Sequence, residues 1–112
     1  MEWWFIADPP SKPIALLTGL AVASILAGKT VVGLAGQQVV IIPAGKLARA
    51  DSLDIDGAIQ VPLEEAHVSF DPKKERVTVA GEPFGIVMGY EYEAVQFAGH
   101  AGAAMPDWFV RA

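Results

Sequence analysis

The sequence predicts a mainly β fold: a small antiparallel barrel or sandwich, with an apolar N-terminal helix, or extra strand, over residues 12–27. Three observations carry this. Short runs after residue 29 alternate apolar and polar residues, turn-forming residues separate them, and 112 residues make one domain with a single modest core. Closely spaced short strands of this kind suit a barrel or sandwich.

The chain is expected to divide into an aromatic and apolar segment (1–28), a β core (29–97) and a flexible C-terminal tail (98–112). "MEWWFIAD" opens it as an aromatic cluster, and "DPPSKP" breaks the chain, because proline restricts itself and its predecessor. Ser11 then offers an N-cap, Pro13 falls in the tolerated first turn, and Gly28 with Lys29 makes a helix C-terminus. The helix would be apolar all round, and so enclosed on every side. A strand over "LAVASIL", turning through "AGK" into "TVVGLA", is the alternative, since periodicity alone does not assign a short apolar run.

"TVVGLA" and "QQVVII" flank Gly36 as a hairpin. "SLDI-DG-AIQV" reads as another, with Asp56–Gly57 suited to a type I′ turn. In "EAHVSF-DPKK-ERVTVAG", Ala66, Val68 and Phe70 alternate with His67 and Ser69, and Val77 and Val79 with Arg76 and Thr78. Asp71–Pro72 suits a type I corner. "GEPFGIVM" and "YEYEAVQF" are the expected last strands, the second with a tyrosine face opposing a glutamate face. "AGHAGAAMP" reads as tail, with His100 as a loop histidine.

Composition narrows the function. The hydrophobic fraction is 53% and only 19% of residues are charged, which leaves little polar surface and points to a partner that hides some apolar surface. Without cysteine there is neither a disulfide nor a thiolate metal site. Residues 1–50 carry two acids against four bases, net +2, whereas residues 51–112 carry eleven acids against four bases, net −7. No basic cluster could neutralise a run of phosphates, so no sequence-specific nucleic acid is expected as a partner. A faintly basic half joined to an acidic half fits head-to-tail contact between copies. The acidic, aromatic start does not resemble a secretory signal.

No catalytic residue, cofactor or metal site is expected. In "DSLDIDG", Ser52, Asp54 and Asp56 could occupy positions 1, 3 and 5 of an EF-hand loop. Position 12 is then Leu63, where a bidentate glutamate is required, and Glu64 falls one place late. Turn chemistry explains the segment better. Glu64, Glu65 and His67 could form an acid–base group, with Glu65 and His67 on one strand face, but no nucleophile or metal triad completes it. Glu91 and Glu93 flank Tyr92 as an acidic strip, and the glycine-bearing stretches lack a phosphate-loop pattern.

The segment "IQVPLEEAHVSFDPKKERVTVAGEPFGIV" resembles the second half of small β-barrel proteins that join head to tail in tailed bacteriophages. The matching positions are Val77, Thr78, Val79, Gly81, Phe84 and Val87, and "QQVVIIPAGKLARA" is similar in kind to the strand before that barrel. The resemblance covers roughly half of the chain, and the apolar stretch 13–28 departs from it. It implies a non-enzymatic virion component, a head–tail connector or a minor capsid or cement-type protein, forming rings of identical subunits that pass DNA or seal a pore. Its partners would be itself and other structural proteins of the assembly; it would be cytoplasmic before joining the virion.

Trp3, Trp4, Phe5, Leu20, Trp108 and Phe109 are the candidate interaction residues. The alternative is a membrane-associated β-domain anchored by residues 1–28. A helix over residues 13–27 spans roughly 22 Å, against about 30 Å of hydrocarbon, and the run lacks a basic flank and a charged opposite face. Burial by protein is the expectation. Leu20→Asp should then cost roughly several kcal/mol as an unpaired buried charge and disrupt folding or assembly. Sedimentation without detergent checks this; normal assembly of Leu20→Asp refutes it.

Overall fold

A computed structural model describes residues 2–10, 28–45, 53 and 57–105. It is mainly β, as expected. Seven strands form one antiparallel sheet: β1 (Trp3–Asp8), β2 (Lys29–Ala35), β3 (Gln38–Gly45), β4 (Ile59–Pro62), β5 (Ser69–Asp71), β6 (Arg76–Val79) and β7 (Glu82–Ile86). Two helices accompany them, α1 (Leu63–Ala66) and α2 (Glu91–His100). The expected helix or strand at 12–27 lies outside the described residues.

The strand order is β4-β3-β2-β1-β7-β6-β5. β1 is therefore central, flanked by one meander running out to β4 and another running out to β5. Residues 1–8 are not an appendage to a β core beginning at residue 29. Removing them would take out the middle strand, so the aromatic cluster is not separable from the fold. The reason is legible in the pairing: Phe5 lies opposite Val32 and Ile6 opposite Val31, so the strand's alternation continues that of its neighbour on both faces.

The sheet is curled. Its edge strands β4 and β5 are joined by residues 63–68 alone. Seven strands laid flat at about 4.8 Å spacing would put those edges roughly 29 Å apart. A connection with one helical turn reaches only about 16 Å. The edges must approach each other, as in a partly open barrel. Helix α1 bridges the gap: Leu63 N donates to Gln37 O, and Ala80 N donates to Ala66 O.

The inner face holds the main core. Phe5, Val32, Val39, Ile41, Val77, Val79 and Phe84 surround Ala94, Phe97 and Ala98 of α2. A second cluster occupies the opposite face, with Ile6, Val31, Val40, Ile42 and Ala44 buried beside Leu53, Ala58, Val87 and Tyr90. Burial on both faces explains why β2 and β3 are runs of apolar residues rather than alternating ones. Pro43 lies beyond Ile41, the last β3 residue paired with β4, where a missing N–H interrupts no ladder to that strand.

The turns follow local chemistry. Gly36, at φ 60°, is the first corner residue between β2 and β3, the place where a type II′ turn needs glycine. Ala80 and Gly81, at φ 53° and 84°, turn β6 into β7 with the two positive φ angles of a type I′ turn. The expected corner after Asp71 is present, and the Asp71 carboxylate accepts from the N–H groups of Lys73 and Lys74 at 3.0 and 3.2 Å. The turn at Asp56–Gly57 falls partly outside the described residues; β4 pairs with β3.

Two expected strands are helical. "YEYEAVQF" belongs to α2, because Ala94, Phe97, Ala98 and Ala101 recur at helical spacing and face the core. The helix runs to His100, so the expected flexible tail does not begin at residue 98. Gly102, at φ 91°, closes the helix, with Ala103 N bonded to Ala98 O and Gly102 N to Gly99 O. That pattern is a Schellman end, for which glycine supplies the left-handed residue. "LEEAH" forms α1 and ends at His67, which adopts φ 45°. Glu65 and His67 therefore do not share a strand face, and the extended run expected over residues 65–70 begins only at Ser69.

Glu75 also has a positive φ, 53°, in the loop that joins β5 to β6. Left-handed backbone costs an L-residue about 1–2 kcal/mol, part of which glycine's extra chain entropy offsets. Glu75→Gly should stabilise the fold by about 0.5–1 kcal/mol. A urea midpoint equal to or below that of the wild type refutes the expectation.

Candidate functional site

β1 meets α2 where the ladder between β1 and β7 stops. Only Ala7 and Asp8 pair with β7, opposite Ile86 and Gly85. Val87 N still donates to Ile6 O at 3.2 Å, after which the chain leaves the sheet and enters the helix. Trp3, Trp4 and Phe5 thus lie beside α2.

Successive strand residues face opposite sides of a sheet, and these three use that property. Phe5 points inward, is fully buried, and meets Phe97 at a ring separation of 5.4 Å. Trp3 packs on the same core and stacks on His100, with centroids 4.6 Å apart and planes 24° from parallel. Trp4 points to the other face, 43% exposed, and lies 6.1 Å from Tyr90. The two tryptophans therefore reach opposite ends of α2, its N-cap residue Tyr90 and its last residue His100.

Between those ends runs a polar stripe. Tyr90, Glu93, Gln96 and His100 are spaced by three, three and four residues, so each neighbours the next on the helix surface. His100 Nδ1 lies 2.8 Å from Gln96 O; the carbonyl can only accept, so Nδ1 is the donor. Gln96 is only 5% exposed, and its Oε1 has no donor; Glu93 Oε2 is likewise buried without one. Buried acceptors are ordinarily paired, and an unpaired one costs about 1–3 kcal/mol. Two of them three residues apart single this stripe out. Glu91, by contrast, is satisfied locally, accepting from Gly89 N at 2.8 Å.

Of the expected interaction residues, the structure brings Trp3 and Trp4 to this junction. Phe5 lies inside the core, out of a partner's reach. Leu20, Trp108 and Phe109 lie outside the described residues, as do Ser52, Asp54 and Asp56. Glu64, Glu65 and His67 are exposed on and beside α1, and His100 is a helix residue rather than a loop one. Among the described residues no group of three potential ligands could hold a metal ion, and no helix is long and apolar enough to cross a membrane. A groove of about 220 Å³ between the β5–β6 hairpin and α2 is lined by Phe70, Pro72, Glu75, Ile86, Glu91 and Val95, smaller than the roughly 300 Å³ at which small-molecule pockets begin.

Sequence reasoning misses Tyr90, Glu93, Gln96 and His100 as a group. Their three- and four-residue spacing is the available signal, and it is hidden when residues 90–97 are read with a two-residue period. No protein-family model matches the chain, and comparisons with characterised proteins and with solved structures returned no match.

An unpaired buried amide destabilises the subunit, and an apolar side chain of similar length does not. Gln96→Met should raise stability by about 1–2 kcal/mol, or about 4 °C or more in melting temperature. A lower melting temperature would mean that the amide has a partner.

Proposed function

We propose that the protein is a non-enzymatic structural subunit that associates with copies of itself in a larger symmetric assembly. The observation that carries this reading is the exposed apolar surface beside the β1–α2 junction. Among the described residues the exposed large apolar side chains are Trp4, Met88 at 90% and Tyr92 at 64%. Two of the three flank Tyr90, and the third touches it. Side chains of this kind gather at the centres of protein interfaces. The charge asymmetry between the two halves of the sequence supports contact between unlike surfaces of identical copies, which closes into rings when the rotation permits.

The setting proposed for the assembly is the virion of a tailed bacteriophage, as a head–tail connector or a minor capsid or cement-type component, with a cytoplasmic stage before incorporation. This finer reading rests on the sequence resemblance at Val77, Thr78, Val79, Gly81, Phe84 and Val87. Those residues span the β6–β7 hairpin and the exit from it, a compact unit of the sort that the resemblance implies.

Sedimentation velocity without detergent tests the assembly, with electron microscopy of the heaviest species. Particles several times heavier than the 11.9 kDa chain, ring-shaped and of uniform size, are expected. A monomer at every accessible concentration overturns the proposal.

A further inference from the structure

We infer that Met88 is a knob that enters the groove between the β5–β6 hairpin and α2 of a second copy of this chain, which returns its own Met88 in exchange. This rests on the proposed self-association and gives it one contact. Met88 is 90% exposed, and the turn that carries it is fixed at both corners. Tyr90 N donates to Val87 O at 3.0 Å. Gly89, at φ 97°, is the second corner residue, the place where a type II turn needs glycine. The Glu91 carboxylate accepts from Gly89 N at 2.8 Å and ties that corner to the first turn of α2. The backbone presenting Met88 is thus set before docking, which lowers the cost of ordering it.

The groove suits one such side chain. Phe70, Pro72, Ile86 and Val95 are its apolar lining, and its volume is about 220 Å³. An apolar cavity of about 150 Å³ admits benzene, so a methionine side chain fits, and its thioether packs well beside an aromatic ring such as Phe70. Ile86 and Glu91 line the groove and bracket Met88 in sequence, so knob and groove share a border. A two-fold axis at that border lets each copy fill the other's groove, an isologous contact. Charge favours the same arrangement. Lys73 and Lys74 are exposed next to Pro72 on the hairpin side, and neither is in an ion pair among the described residues. Glu91 is exposed on the helix side. The two-fold sets the hairpin side of one copy against the helix side of the other, so unlike charges meet and fix the orientation. Tyr92, 64% exposed and three residues from Val95 on the helix surface, widens the apolar rim.

The test measures association by sedimentation velocity for wild type, Met88→Asp, which removes the knob, and Val95→Phe, which fills the groove. Circular dichroism of each variant checks the fold; Met88 is outside both buried clusters, so Met88→Asp keeps the test decisive even where Val95→Phe unfolds. Met88→Asp and Val95→Phe should each weaken association about tenfold or more, and Met88→Leu should leave it within about threefold. The two weakened variants are then mixed. Val95→Phe still has its knob and Met88→Asp still has an open groove, so the mixture should associate more tightly than either variant alone. Met88 packing on Met88 across the axis would give no such recovery. Wild type that associates while Met88→Asp associates equally well, or a mixture without recovery, overturns this inference alone. Monomeric wild type overturns the self-association, and the inference with it.

Discussion

The antiparallel pairing of β1 on both its edges is the constraint from which the rest of the architecture follows. On one side it pairs with β2 from Trp3 to Ala7, on the other with β7 at Ala7 and Asp8 only. The first ladder seats Phe5 over Val32 and Ile6 over Val31, so each face of the strand is committed to a different cluster. The brevity of the second opens space for α2. Without β1 the two meanders share no ladder, and Phe97 loses its aromatic neighbour Phe5. The curled sheet, the seat of the helix and the polar stripe at its side all depend on where this strand lies.

Much of the β architecture is legible in the sequence because strand signals are local. Gly36, Asp71 and Gly81 mark corners through backbone chemistry that needs no tertiary context, and the alternation through Val77 and Val79 identifies their inner face. The place of β1 is not legible, since "WWFIAD" reads equally as a docking cluster, and its partner β7 lies far along the chain. Helix α2 is obscured for another reason. Tyr90, Tyr92, Glu91 and Glu93 alternate with a strand-like period, while the deciding residues, Ala94, Phe97, Ala98 and Gly102, lie further on. The candidate site inherits that difficulty: Trp3 and Trp4 stand out by composition, whereas Glu93, Gln96 and His100 come together only once the helix is recognised.

The structure also shows where local preference yields to the fold. His67, Glu75 and Ala80 hold positive φ angles that favour glycine, and each sits at an abrupt change of direction around α1 or the β5–β6–β7 meander. Ala80 N bonds to Ala66, so a strained turn and a one-turn helix support each other across the gap between sheet edges. The unpaired oxygens of Glu93 and Gln96 are different in kind. No turn or cap requires them, and apolar residues would satisfy the same helix face.

The short ladder between β1 and β7 has a consequence for how the chain comes together during synthesis. Its paired residues, Ala7 and Ile86, are separated by most of the sequence. At roughly 5–20 residues per second, β7 leaves the ribosome about 4–16 s after β1. β2 arrives far sooner, so the β1–β2–β3 meander can form early while the edge of β1 that will meet β7 and α2 stays uncovered. For those seconds Trp3, Trp4 and Phe5 stand at an open strand edge, the kind of surface on which nascent chains aggregate or recruit chaperones. Long-range closure of this sort is slow by topology, and the rate at which β7 and α2 dock onto β1 would govern the yield of folded protein more than the stability of the finished barrel does.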